Sequence, residues 1–180
     1  MSMLSRLATF GSTVSYSDIT VVTSGSIIGN SAITFSPSLQ QNDVVFLVIG
    51  DNDVDYTIPA GYVQITGNVI TTVYKFSVYY KVMGSTPDTG INLNDGNDTS
   101  GGTYYALRGV QTNDPVIEVN YTIGTSSTTN LTPPALTAPV KSLFLVAGFA
   151  GNGASTVINA APSGYSGFLQ RDVSGLSDTY

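Results

Sequence analysis

Residues 43–62 read DVVFLVIGDNDVDYTIPAGY, and this stretch decides the fold. It begins with Val44-Val45-Phe46-Leu47-Val48-Ile49, apolar at six consecutive positions. Side chains alternate between the two faces of a strand, so an unbroken apolar run means that both faces are covered or that one meets a partner surface. Such a strand is expected at the centre of a sheet. Three aspartates follow at alternate positions, Asp51, Asp53 and Asp55, and the stretch closes on Pro59-Ala60-Gly61-Tyr62. There Pro fixes φ and Gly is free to take positive φ, which reads as a turn.

A weaker copy lies further along the chain. Ser142-Leu143-Phe144-Leu145-Val146-Ala147-Gly148 matches the apolar run and Pro162-Ser163-Gly164-Tyr165 the turn, with offsets of 98 from Phe46 to Phe144 and 103 from Pro59 to Pro162. The expectation is an all-β chain, an antiparallel β-sandwich of jelly-roll or immunoglobulin-like type, built from two related units. The expected organisation is an N-terminal arm at 1–17, a first unit at 18–124, a Ser/Thr/Pro-rich connection at 125–141 and the start of a second unit at 142–180. The second unit reads as incomplete, because the chain stops where the first unit would enter its longest strand.

Composition points the same way. Only 10% of the residues are charged, against roughly 25% in an ordinary globular protein, so solubility has to come from Ser, Thr, Asn and Gly. Val, Ile, Thr and Tyr are plentiful while Glu, Lys, Arg and Gln are scarce, a bias towards pleated half-buried surfaces. A net charge of −6 with no basic cluster argues against a nucleic-acid partner. No apolar run approaches the roughly 18 residues that a membrane helix needs, and no signal peptide is read at the N-terminus.

The chain order predicts further elements. Ile19 to Thr23 reads as a strand, Ser24-Gly25-Ser26 as a turn, and Ser31 to Phe35 as a second strand. After Tyr62 to Thr66, Gly67-Asn68 reads as a short reversal into Val69 to Val82. Along that long strand the aromatic set Tyr74, Phe76, Val78 and Tyr80 is expected to face the core, with Val73, Lys75, Ser77 and Tyr79 opposite. Residues 84–102 read as a loop with one short strand at Ile91-Asn92-Leu93, followed by a strand from Thr103 to Val110.

Several residue sets invite a chemical role. Asp51, Asp53 and Asp55 have the spacing that opens a calcium loop, yet Tyr56 stands where a Gly is needed and no Glu stands at the twelfth position, which favours a solvated acidic loop. The cluster Asn94, Asp95, Asn97 and Asp98 is explained by turn chemistry. Glu118 is the only glutamate and reads as an outward strand charge, so no facing Glu pair is available for glycoside hydrolysis. Histidine and cysteine are absent, which removes a Ser-His-Asp triad, a thiolate metal site and any disulfide. No enzyme activity and no cofactor are expected. Eleven tyrosines suggest a sugar platform, with Tyr79 and Tyr104 as candidate glycan contacts, although adjacent pairs such as Tyr79-Tyr80 put one ring in and one out. At the N-terminus Leu4, Leu7 and Phe10 form a short apolar pattern, a candidate docking arm.

One combination is distinctive. An apolar strand ending in Gly, the P-x-G-Y turn, Tyr79-Tyr80-Lys81-Val82, then Tyr104-Tyr105-Ala106-Leu107-Arg108-Gly109-Val110 and Asn113-Asp114-Pro115-Val116 resembles β-sandwich proteins from the structural gene blocks of tailed bacteriophages. The resemblance spans about residues 27 to 170. It implies a virion component without enzymatic activity, a capsid decoration or cement protein or a tail-fibre component, assembled in the host cytoplasm. It implies other virion proteins as partners, a homo-oligomer, and neither nucleic acid nor membrane. The other function class consistent with the residues is a carbohydrate-binding module or host-recognition adhesin domain.

Overall fold

A computed structural model of the chain describes residues 18–28, 31–51, 57–69, 75–93, 100–113 and 115. Within them every regular element is a strand: β1 (Thr20–Ile28), β2 (Ile33–Thr34), β3 (Val44–Asp51), β4 (Val63–Val69), β5 (Lys75–Val82), β6 (Gly90–Ile91) and β7 (Ser100–Arg108). Five form one sheet in the order β1-β7-β3-β5-β4, and β2 pairs with β6 in a second, two-stranded sheet. All the pairings are antiparallel.

The apolar run of β3 takes the middle of the large sheet, as its sequence requires. Val45, Leu47 and Ile49 enter one cluster with Tyr79, Tyr104, Ala106 and Ile27, while Val44 and Phe46 enter a second with Leu107. Both faces of β3 are therefore covered. The first cluster is the larger, and it is closed by side chains from outside the sheet: Phe35, Leu39, Met83, Ile91 and Leu93 are all buried in it. Backbone hydrogen bonds hold these covering segments, with the Phe35 N–H donating to the Thr89 carbonyl at 2.8 Å and the Thr57 N–H to the Leu93 carbonyl at 2.8 Å. An antiparallel sheet packed over a second layer fits a β-sandwich in general.

Three expectations from sequence are corrected. The Ser24-Gly25-Ser26 segment is not a turn: β1 runs through it, in register with Tyr105, Tyr104 and Thr103. A Cβ on Gly25 would lie 3.0 Å from the Tyr104 ring, a tight contact between strands that favours a small residue here with no turn involved. Gly67-Asn68 does not reverse the chain either, since β4 continues through both, pairing with Ser77 and Phe76, to Val69 opposite Lys75. On β5 the main core face is the other one. Ser77 and Tyr79 are buried at 0% and 6% exposure on the side of Leu47 and Ile49, whereas Tyr80 and Val82 pack half-buried against the smaller cluster. Apolar residues stand on both faces of β5, and the register with β3 decides which face is inner.

The proposed turn at Pro59-Ala60-Gly61 is observed, with Gly61 at φ 86°. β6 covers Gly90–Ile91 and stops short of Leu93, and β7 ends at Arg108, where Gly109 takes φ 87°. The segments 1–17 and 116–180, and with them the arm, the connection and the second unit, lie outside the described residues, as does Glu118.

Candidate functional site

The charged side chains of the described core gather at the end of the sheet where β3 begins and β5 and β7 end. Val44 stands between Val82 and Leu107, which brings Asp43, Met83 and Arg108 to one rim. Residues 40–43 form a turn there: the Asp43 N–H donates to the Gln40 carbonyl at 3.1 Å, and Asn42 takes φ 71°, a conformation that Asn tolerates better than most residues. The turn is tied to the neighbouring strand by the Asn42 N–H to the Met83 carbonyl at 2.9 Å and the Met83 N–H to the Asp43 carbonyl at 2.8 Å.

The Asp43 side chain is buried, at 1% exposure. Its two oxygens accept from Arg108 Nε and Nη2, each at 2.8 Å, and Oδ2 also accepts the Gln40 N–H at 2.8 Å. This is the forked guanidinium–carboxylate geometry that Arg provides and Lys does not. Burial by itself would raise the carboxyl pKa. The Arg108 hydrogen bonds, the Gln40 amide and the Arg108 charge outweigh it and hold the group below the ordinary carboxylate value.

A second pair sits beside it. Lys81 projects from β5 on the side of Val45 and reaches Asp88 at 2.8 Å, with a further hydrogen bond to the Ala60 carbonyl at 2.9 Å. Its ammonium lies 5.4 Å from the centre of the Tyr62 ring, a cation–π contact. Lys81 thereby fastens the Pro59-Ala60-Gly61-Tyr62 turn to the segment after β5. The Tyr62 hydroxyl is buried without a hydrogen-bond partner among the described residues, and burial, with the nearby Asp88 charge, pushes its pKa well up. The phenol stays neutral.

These pairs neutralise charge and clamp loops. Lys81 and Arg108 each have a carboxylate partner. Among the described residues no three His, Cys, Asp or Glu side chains gather so as to hold a metal ion. A shallow hollow of about 300 Å³ lies over β2 and β6, lined by residues 32–34 and 89–92, without a charged group.

The residues singled out from sequence fall as follows. Asp51 ends β3, with its backbone opposite Lys75 and Ser100, while Asp53 and Asp55 lie outside the described residues. Asn94, Asp95, Asn97 and Asp98 lie outside them too, as do Leu4, Leu7 and Phe10. Tyr79 and Tyr104 are in the core, each 6% exposed, with Tyr104 edge-on to Phe35 at 5.4 Å between ring centres. Neither ring offers the open face on which a sugar stacks, which corrects the glycan reading of these two residues. Sequence reading missed both ion pairs. The available signal was scarcity: in a chain with 6 basic residues, a Lys and an Arg at the ends of aromatic strands mark positions where charge has a structural use.

No protein-family model, no curated protein and no solved structure matches this chain.

Proposed function

We propose that this chain is a non-enzymatic structural protein of a tailed-phage virion, docked on the capsid exterior or the tail as a decoration, cement or fibre-type component. The observation that carries the reading is the use made of the resemblance motifs. Tyr79, Lys81, Tyr104, Ala106, Leu107 and Arg108 all serve to pack or clamp the sheet around β3. Motifs that build a scaffold suit a protein whose work is to be a rigid unit in an assembly. Jelly-roll or immunoglobulin-like sandwich units, the second related to the first, and a homo-oligomeric state belong to the same proposal.

Docking is the mechanism proposed, with the 1–16 arm and apolar strand surface buried against capsid or tail proteins while polar loops face water. The test is to purify particles and quantify this chain in them. Copies on the order of hundreds per particle indicate decoration, and a few to tens indicate tail or fibre. Absence from intact particles overturns the reading. Deleting residues 1–16 is expected to lower incorporation. Glycan binding by the isolated protein would favour the adhesin reading, but its loss in Tyr104→Ala would report lost packing, since that ring is core.

A further inference from the structure

We draw no further inference here: the strongest candidate, the apolar face of the five-stranded sheet on which Tyr105, Phe46, Tyr80 and Val63 stand in one row across β7, β3, β5 and β4, carries nothing, because nothing in the structure shows what covers it.

Discussion

At the scale of single residues, the structure separates polar groups that are satisfied from those that are not. Ser77 is fully buried and its hydroxyl has no hydrogen-bond partner among the described residues. A buried donor without a partner costs free energy, so Ser77→Ala is expected to be neutral or to stabilise by about 1 kcal/mol in urea unfolding. Asp43 is the reverse case, with both carboxylate oxygens bonded. Asp43→Ala removes the Arg108 fork and the Gln40 bond together and is expected to cost about 2 kcal/mol. Because the folded carboxyl pKa lies below its ordinary value, the unfolded chain binds the proton more readily. The stabilisation is present in full above about 3.8, the ordinary value, and is lost as pH falls through the lower folded value. Stability measured from neutral pH into acid should fall in that window for the unmodified protein and lose this part of its slope in Asp43→Asn.

At the scale of elements, position in the sheet explains what sequence could and could not tell. β3 was legible because six apolar residues in a row need cover on both faces, which the centre of a sheet supplies. Leu47→Ala is accordingly expected to cost about 2–5 kcal/mol, since Leu47 is fully buried between Tyr79 and Tyr104 on the two neighbouring strands. The turn at Gly61 was legible too, from Pro and Gly chemistry that acts within a few residues. What could not be read depends on contacts between distant residues. Gly25 looked like a turn because the Tyr104 ring that crowds its position is far away in sequence, and the core face of β5 is chosen by its register on β3. The two ion pairs were hidden for the same reason, as Arg108 and Asp43 stand 65 residues apart.

The glycines give a graded test of this account. A Cβ on Gly102 would collide with the Val48 carbonyl, which is backbone in the central strand and cannot yield. On Gly25 it would meet only the Tyr104 ring, at 3.0 Å, and on Gly84 nothing within 4 Å. Thermal unfolding should rank alanine replacements with Gly102 far the most damaging, Gly25 intermediate and Gly84 near neutral.

At the scale of the whole molecule, the distribution of charge links stability to assembly. The described rim sets Lys81 and Arg108 against Asp88 and Asp43, so these pairs are neutral and the net charge of −6 comes from the remaining charged residues. Two copies of net charge −6 repel at long range, and the homo-oligomer proposed above has to overcome that repulsion through short-range contacts that salt does not weaken. Salt then screens the repulsion and leaves the attraction. Dimerisation is expected to strengthen severalfold between roughly 20 mM and 200 mM monovalent salt, over which the screening length shortens from about 20 Å to below 10 Å. Sedimentation equilibrium across that range measures it directly. Weakening with salt would mean that complementary charges on the two copies make the contact, which would overturn the view that a uniformly acidic chain associates through uncharged surface.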